Sequence, residues 1–377
     1  AGEVERLMIN TIHPTVFTAS ASPPYTVGED AYQAVPRVLK LLGHHALLIG
    51  GRKALAAGRA FLMEALAGSG ITLTVSEFTG ECTFTKAEAF AAQAKEAGAC
   101  AILGMGGGKA LDTAKAAAQL AGLPVMTLPT IAATCAAVTA LSVMHLEPGS
   151  TDSPIFFLDG PPMHTFLHTG VLSRSPGKYL RAGIGDSLGK HVECAFKAGD
   201  RAGLPYTDLY ALALAQLGYE TLMEAGARAL NDVALGEDSA AFRLAAQCCV
   251  VNTGLVSLQV DERFNGGLAH SLYYALRDLP AFSGLLHGDV VAWGSLVQLV
   301  MEGKADEALR LRSFLVSIGV PASLKEMGIA LSDIAPSLPA VLLQKDMAYT
   351  PYAVTLQMIQ TALEDSEKLA DNQGGTD

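Results

Sequence analysis

The sequence is short of positive charge, of long apolar runs and of any segment that resembles a secretion signal. It has 26 lysine and arginine residues against 37 aspartate and glutamate residues, which gives a net charge of −11 with no basic cluster. This balance argues against nucleic acid or an anionic membrane as a partner. No apolar run reaches the roughly 18–20 residues of a membrane span, and no signal-peptide apolar region follows Glu3, Glu5 and Arg6. We therefore expect a soluble cytoplasmic protein.

The sequence also lacks a cysteine-based metal site, because its six cysteines do not have the spacing of a metal-binding knuckle. They are Cys82, Cys100, Cys135, Cys194, Cys248 and Cys249. In a chain this long and this apolar, we expect them to be reduced thiols in the interior.

Apolar residues, by contrast, are plentiful, and the chain is long. Half of its 377 residues are hydrophobic and 17% are charged. Single cores rarely grow past about 250–300 residues, so the length predicts two domains, which we place at 1–172 and 173–377. Many Pro, Gly, Ser and His residues between Leu146 and Gly177 mark a boundary or an inserted hairpin.

The first half alternates short apolar strands with helices of 10–15 residues. Following β-favouring pieces at 9–18, we predict strands at 46–51, 71–78, 100–103 and 124–128, and helices at 31–42, 54–66, 86–97 and 109–120. Such alternation is typical of an α/β domain with a parallel sheet covered on both faces. Ligands of these sheets bind at the carboxyl ends of the strands, where 50–51, 104–108 and 129–134 fall.

The second half is predicted to be all-helical. Its amphipathic or wholly apolar stretches are 188–197, 209–224, 240–258, 268–276, 290–302, 306–318 and 352–369. The polar tail 370–377 is expected to fray. The predicted fold class is therefore α/β followed by all-α.

A glycine-rich turn joins a predicted strand to a predicted helix at 104–109. Gly106, Gly107 and Gly108 would let the backbone approach a ligand closely, and the amides at the start of the helix would attract an anion. The turn is neither a G-x-G-x-x-G pattern nor a P-loop, since position 109 is Lys109. We predict that it binds the phosphates of a dinucleotide, with Lys109 and Asp112 at fixed offsets on the helix. The alternative is a tight structural connection.

Three residues of the helical half form a candidate metal site. Asp186 is predicted at a helix start, His270 follows Gly266-Gly267 at another, and His287 precedes a third helix. One carboxylate and two imidazoles leave an open position, which suits catalytic Zn²⁺ or Fe²⁺. Taken singly, the three would more simply be a helix cap, a core histidine and a turn residue.

The order of these motifs resembles the glycerol dehydrogenase branch of the iron-containing (metal-dependent group III) alcohol dehydrogenases. The similarity runs over roughly residues 25–365 and is carried by 104–115, Pro129–Thr134 running to Val143, Ala182–Asp186, Gly266–His270 and His287-Gly288. It implies a Rossmann-like dinucleotide domain, a helical domain of the dehydroquinate synthase-like fold, and a catalytic metal in the cleft between them.

The resemblance also implies the roles of individual residues. Asp186, His270 and His287 would be the metal ligands and would act in catalysis through the metal. The dinucleotide would be NAD or NADP, and the residues lining it would be Gly108, Lys109, Thr130, Ala133, Thr139 and Leu141. The implied reaction interconverts a small secondary alcohol, either a polyol or a 2-hydroxy acid, and its ketone, with Zn²⁺ favoured and Fe²⁺ as the alternative. A homo-oligomer is expected.

Four departures from the family pattern affect the predicted pocket. Glycerol dehydrogenases carry Asp at the position of Cys135, and that carboxylate would repel a 2-oxo acid that the thiol tolerates. Members of this branch that act on hydroxycarboxylates look similar at this point. Lys190 replaces a fourth ligand histidine of the iron-type members, which favours three-coordinate zinc, and it either attracts a substrate carboxylate or is a solvated lysine. His145 stands where glycerol dehydrogenases have Tyr, and Tyr273 where they have a second His.

The first predicted strand ends in Gly50-Gly51, followed by Arg52 and Lys53. Family members strict for NAD place Asp at the position of Gly51 to hold the ribose hydroxyls. Without that carboxylate and with two cations nearby, a 2′-phosphate is not repelled, which makes NADP(H) use a hypothesis.

Other function classes fit parts of the pattern. Gly185-Asp186-Ser187-Leu188-Gly189 matches the G-x-S-x-G element of serine hydrolases, but such a serine needs a strand before it and 178–184 is a poor one. A dehydroquinate synthase-like lyase would share the fold, the dinucleotide and the metal, but its basic phosphate-binding cluster is not found. Non-catalytic dinucleotide binding is a third alternative.

Overall fold

A computed structural model describes residues 22–146 and 154–371 of the chain. The β-favouring pieces predicted at 9–18 and the polar tail after residue 371 lie outside the described residues. Every cysteine lies within them, and all six are free thiols. Cys82, Cys194, Cys248 and Cys249 are buried, whereas Cys100 and Cys135 are half-buried.

Six parallel strands form one sheet. Their bounds are Tyr25–Gly28 (β1), His45–Gly51 (β2), Thr72–Phe78 (β3), Ala101–Gly106 (β4), Val125–Pro129 (β5) and His164–His168 (β8). Their order across the sheet is β1-β8-β5-β4-β2-β3. The strands at the centre of the sheet read as continuous apolar runs because helices cover both faces. In register, Leu48 lies opposite Leu103, which lies opposite Met126.

The four predicted strands are confirmed to within a few residues, and β1 and β8 add to them at one edge of the sheet. β8 lies in the Pro- and His-rich stretch that was interpreted as a boundary or a hairpin. A hairpin does occur there, because β6 (Leu141–Val143) pairs antiparallel with β7 (Ile155–Phe157). The helices between the strands are Val35–Leu39 (α1), Arg52–Leu66 (α2), Phe84–Glu96 (α3) and Gly108–Ala121 (α4).

Beyond β8 the described chain is helical, as predicted. The helices are Thr169–Leu172 (α5), Gly177–Ala198 (α6), Tyr206–Ala234 (α7), Ala240–Gln247 (α8), Thr253–Gln259 (α9), Leu268–Leu276 (α10), His287–Met301 (α11), Ala305–Ser317 (α12), Leu331–Ile334 (α13), Leu338–Val341 (α14) and Leu356–Asp371 (α15). A single π-helical turn, Cys248–Asn252, joins α8 to α9. The domain boundary at residue 172 stays a prediction.

One predicted helix start is wrong. Helix α6 begins at Gly177, eleven residues before the predicted start at 188, and Asp186 therefore lies in the middle of a helix and not at its start. The prediction failed because Gly183, Gly185 and Gly189 lower the intrinsic helix propensity of this segment. Packing against neighbouring elements overrides that propensity.

By length and composition alone, the continuous helical stretch Ala240–Gln259 would pass for a membrane span. This differs from the expectation that no apolar run is long enough. More than half of the stretch is buried inside the molecule, where Phe242, Ala245 and Val250 belong to the largest hydrophobic cluster of the helical half. Its apolar character is accounted for by that packing.

Helices α6 and α11 cross with their backbones in contact, and glycines make this approach feasible. A Cβ atom on Gly288 would lie 1.7 Å from the carbonyl oxygen of Ala182, and one on Gly185 would lie 2.3 Å from the carbonyl oxygen of Gly288. No flexible side chain is there to give way, since the opposing atoms are backbone. The crossing places Asp186 of α6 beside His287, the first residue of α11.

We expect Gly288→Ala to lower the free energy of unfolding by about 3 kcal/mol, because overpacking against rigid backbone forces the two helices apart. Urea unfolding followed by circular dichroism would measure the change. Gly160→Ala is the matched control, since a Cβ at Gly160 would meet nothing within 4 Å. Equal stability of both variants and the wild type would contradict this account of the crossing.

Candidate metal and dinucleotide site

A cleft of about 730 Å³ opens between the carboxyl edge of the sheet and the helical half. One wall carries the start of α4, the segment after β5 and the β6–β7 hairpin. The other wall carries α6, α10 and α11. The residues of the first wall include Gly108, Lys109, Thr134, Cys135, Thr139, Leu141 and His145, and those of the second include Asp186, Lys190, Asn265, His270, Tyr273, Arg277 and His287.

Asp186, His270 and His287 meet in this cleft, as predicted from the sequence. Their ligand atoms all lie within 4.8 Å of one another. One carboxylate oxygen of Asp186 lies 3.5 Å from Nε2 of His270 and 3.3 Å from Nε2 of His287. Zinc bonds of about 2.0–2.1 Å in a tetrahedron put neighbouring ligand atoms about 3.3–3.4 Å apart. The donor types and the two separations between Asp186 and the imidazoles therefore fit a tetrahedrally bound metal with one position left open.

Glu193 is a member of the site that the sequence reasoning missed. Its fully buried carboxylate receives a hydrogen bond from Nδ1 of His270 at 2.5 Å and from the backbone amides of Gly267 and His270, both at 2.8 Å. The carboxylate thus fixes the His270 tautomer so that Nε2 faces Asp186, and it caps the start of α10. The sequence spacing could have indicated this role, because Glu193 follows Asp186 by seven residues and so lies on the same face of the helix.

The electrostatics of the cluster favour positive charge at its centre. Although burial opposes the shift, the carboxylates of Glu193 and Asp186 raise the pKa of His270 to about 10. Burial also disfavours ionisation of Asp186, yet the imidazoles of His287 and His270 hold its pKa well below the usual range. Because a metal ligand must be unprotonated, a bound cation would take the place of the proton that these carboxylates stabilise.

The three glycines of the predicted turn have two different roles. β4 continues through Gly106, and Gly107 precedes α4, so the turn itself is shorter than expected. A Cβ on Gly106 would lie 2.8 Å from Cβ of Ala110, and one on Gly107 would lie 2.6 Å from Ile131, whereas one on Gly108, which lines the cleft, would meet Thr134 only at the ordinary contact distance of 3.6 Å. Gly106 and Gly107 therefore serve close packing of α4, and Gly108 faces the space for a ligand.

Charged residues near the turn are already paired with one another. Nζ of Lys109 lies 2.7 Å from the carboxylate of Glu81. Asp112 forms a buried ion pair of 2.9 Å with Lys115 and accepts a hydrogen bond from the amide of Val143. Lys115 in turn donates to Thr139 and to the carbonyl oxygen of Leu141. This network holds the β6–β7 hairpin against α4.

The predicted dinucleotide residues fall into two groups. Some line the cleft, and the others lie behind its surface or beside it. The first group is Gly108, Lys109, Asp112, Thr139 and Leu141, and the second is Gly106, Gly107, Thr130 and Ala133. Contact of any of them with a dinucleotide stays a prediction.

The two predicted substrate residues also lie in the cleft. Lys190 is 7% exposed and donates hydrogen bonds to Asn265, so the interpretation of it as a solvated lysine is wrong. Desolvation in the cleft wall raises the pKa of the Cys135 thiol to about 11, so this side chain is neutral at pH 7.

Ser187 does not have the setting of a hydrolase nucleophile. It is 5% exposed in the middle of α6 and accepts a hydrogen bond from the hydroxyl of Thr253 at 2.8 Å. A nucleophile elbow requires an exposed serine on a sharp turn between a strand and a helix. The structure therefore contradicts the hydrolase alternative.

Comparison with known proteins identifies the class. Residues 22–158 match the model of the iron-containing alcohol dehydrogenase family. A glycerol dehydrogenase from Pseudomonas putida is 31% identical over 331 residues, covering 84% of this chain and 86% of that protein. Hydroxycarboxylate dehydrogenase A from Escherichia coli (strain K12) is 30% identical over 329 residues, covering 85% of this chain and 89% of that protein. The chain belongs to the iron-containing alcohol dehydrogenase family and is an oxidoreductase of that type.

A solved structure confirms the fold. Sulfoacetaldehyde reductase from Bifidobacterium kashiwanohense, in complex with NAD⁺, matches with a TM-score of 0.75 at 18% identity, covering 93% of this chain and 98% of that chain. The expected architecture, an α/β half followed by a helical half, is thus confirmed. The family binds NAD and a metal ion and acts on small molecules.

We expect Glu193→Gln to weaken zinc binding 10- to 100-fold, because the amide no longer fixes His270 as the carboxylate does. Competition with a zinc-binding dye would measure the dissociation constant. Glu77→Gln, on β3 away from the cleft, is the control and should bind zinc like the wild type. Unchanged affinity in Glu193→Gln would remove Glu193 from the site.

Proposed function

We propose that this protein catalyses metal-dependent hydride transfer between a nicotinamide dinucleotide and a small secondary alcohol or its ketone. The observation that carries the proposal is the meeting of Asp186, His270 and His287 in the same cleft as the start of α4. We infer zinc as the metal, with iron as the alternative, because two imidazoles and one carboxylate suit both ions. The protein is proposed to be a cytoplasmic homo-oligomer without nucleic-acid or membrane partners.

The three ligands would hold the metal, and Glu193 would keep His270 in the tautomer that binds it. When bound, the metal would act as a Lewis acid that polarises the substrate oxygen. The ring of Tyr273 packs edge-on against His287 with centroids 4.3 Å apart, which restricts the orientation of that imidazole. Burial of the three-ligand cluster would exclude water from the reacting carbon of the substrate. The cleft walls would align that carbon with the nicotinamide.

The dinucleotide would lie along the first wall of the cleft. Gly108 leaves room for a phosphate at the start of α4, where backbone amides and the helix dipole favour negative charge. Leu141 lies on the β6–β7 hairpin and Thr139 lies just before it, and Lys115 bonds to both. Both residues would contact the nicotinamide end. Lys109, paired with Glu81, would border the phosphates.

Two substrate classes remain for the proposed reaction, polyols and 2-hydroxy acids. Relatives named for glycerol and for hydroxycarboxylates have similar identity to this chain. A dehydroquinate synthase-like lyase is the remaining alternative on this fold. Turnover that couples ketone reduction to dinucleotide oxidation would favour the dehydrogenase.

We expect Asp186→Ala, His270→Ala and His287→Ala each to abolish both metal retention and turnover, because two remaining ligands cannot hold the ion. Metal content is measured by mass spectrometry. Turnover is followed at 340 nm with NADH or NADPH and dihydroxyacetone, 2-oxobutanoate, 2-oxoglutarate or phenylpyruvate, with zinc added or chelated. The exposed His44 offers a control, His44→Ala. A fully active, metal-free His270→Ala enzyme would refute the proposal.

We further propose that NADP(H) is accepted. Gly51 ends β2 and precedes α2, and the neighbouring Arg52 side chain is 86% exposed. A Cβ at Gly51 would meet only the carbonyl oxygen of Phe78, at 3.8 Å. Packing would therefore allow an aspartate at position 51, where it would hold the ribose hydroxyls. The residue at that position is nevertheless glycine.

We expect Gly51→Asp to shift the ratio of kcat/KM for NADPH over NADH at least 10-fold toward NADH, since a carboxylate repels the 2′-phosphate. Steady-state kinetics with both dinucleotides measure the ratio. Gly51→Asn, which lacks the charge, is the matched control and should shift the ratio less. A wild-type enzyme with strong preference for NADH would count against NADP(H) use.

A further inference from the structure

A buried lysine lies in the cleft wall beside the three-ligand cluster. Lys190 follows Asp186 by one turn of α6 and is 7% exposed, with its remaining surface on the cleft. Burying an ammonium group is costly unless an anion compensates its charge. The question is therefore which anion compensates the charge of the buried Lys190 ammonium group.

The hydrogen-bond partners of Lys190 are both neutral. Its Nζ donates to the backbone carbonyl oxygen and to the side-chain oxygen of Asn265, each at 2.8 Å. Among residues 22–146 and 154–371, no carboxylate oxygen lies within 4.0 Å of this Nζ. An ammonium group has three N–H donors, so one remains for a group that enters the cleft.

The carboxylates nearest to Lys190 are engaged elsewhere. Asp186 faces the imidazoles of His270 and His287, and Glu193 accepts three hydrogen bonds from His270 and Gly267. A divalent metal at the cluster would balance these two carboxylates, which leaves the charge of Lys190 uncompensated. The thiols of Cys135 and Cys194, which also face Lys190, are neutral because burial raises their pKa values. Lys190, Asp186, Glu193 and a divalent metal would together carry one excess positive charge at this end of the cleft.

We propose that Lys190 binds the carboxylate of the substrate, which makes the enzyme selective for 2-hydroxy acids and 2-oxo acids over neutral polyols. The inference rests on the function proposed above. Four residues along a helix correspond to a rise of about 6 Å. A 2-oxo acid carries its carboxylate on the carbonyl carbon, so its ketone oxygen can lie at the three-ligand cluster while the carboxylate reaches Lys190. Cys135 leaves this part of the cleft without a repelling charge.

A positioning role for Lys190 is the competing explanation. Its bonds to Asn265 tie α6 to the segment that leads into Gly267 and His270. Loss of positioning would disturb the cluster and lower activity toward every substrate and the zinc content alike. Loss of a carboxylate receptor would lower activity toward charged substrates alone. The two roles are therefore separable by measurement.

The test compares pyruvate with hydroxyacetone, which replaces the carboxylate of pyruvate by a neutral CH₂OH group. For the zinc-loaded wild type we expect a higher kcat/KM for pyruvate. Lys190→Met should lower kcat/KM for pyruvate at least 10-fold, since it removes a hydrogen bond between two charged groups. It should change kcat/KM for hydroxyacetone less than 3-fold. Asn265→Leu is the matched control, which retains the cation and should keep the preference for pyruvate.

A binding measurement without turnover completes the test. Titration calorimetry with oxamate, an unreactive analogue of a 2-oxo acid, should show at least 10-fold weaker binding to zinc-loaded Lys190→Met with unchanged zinc content. Lys190→Gln keeps an N–H donor to Asn265 without the charge and serves if Lys190→Met does not fold. It should weaken oxamate binding to a similar extent.

The outcomes distinguish this inference from the proposed function. Equal losses for pyruvate and hydroxyacetone together with lost zinc would make Lys190 a positioning residue and overturn the inference. Reduction of hydroxyacetone without pyruvate turnover or oxamate binding would also overturn it, with the dehydrogenase function intact. If neither ketone is reduced, the proposed function fails, and oxamate binding that depends on Lys190 would still support the carboxylate receptor.

Discussion

The site depends on the backbone contact between α6 and α11. Asp186 and His287 are about 100 residues apart in the sequence, and no local interaction joins them. They meet because glycines at the crossing let two helices approach more closely than side chains allow. The helix propensity lost at Gly185 and Gly288 is outweighed by the packing of the helical half, and the result is a carboxylate and an imidazole 3.3 Å apart.

Buried polar groups determine the rest of the geometry. Glu193 joins α6 to α10 and orients His270, and Lys190 joins α6 to the segment before α10. On the opposite wall, Lys115 and Asp112 bind the hairpin to α4. In each case a charged side chain inside the protein bonds to backbone groups of a different element, where low polarity strengthens the interaction. These bonds tie the elements of each cleft wall to one another.

Much of this architecture was predictable from the sequence. The apolar runs of β2, β3, β4 and β5 stand between helices of regular spacing, and their order predicts a parallel sheet. Residue types and local contexts suggest Asp186, His270 and His287 as a ligand set, and the resemblance supports it, since the spacing between Asp186 and His270 is not diagnostic alone. The start of α6 is not predictable from the sequence, because its glycines lower the helix propensity. β8 is not predictable either, because its histidines and the neighbouring turn residues are not typical of a buried strand.

The amino-acid sequence by itself determined the fold class, the identities of the candidate ligands and the absence of a carboxylate at Cys135 and Gly51. Tertiary structure alone decided that Lys190 is buried with neutral partners, that Glu193 belongs to the site, and that Lys115 bonds to the β6–β7 hairpin. The physical reason is that periodicity and local propensity act over a few residues. Burial, charge pairing and backbone contact depend on elements that the chain brings together from distant positions.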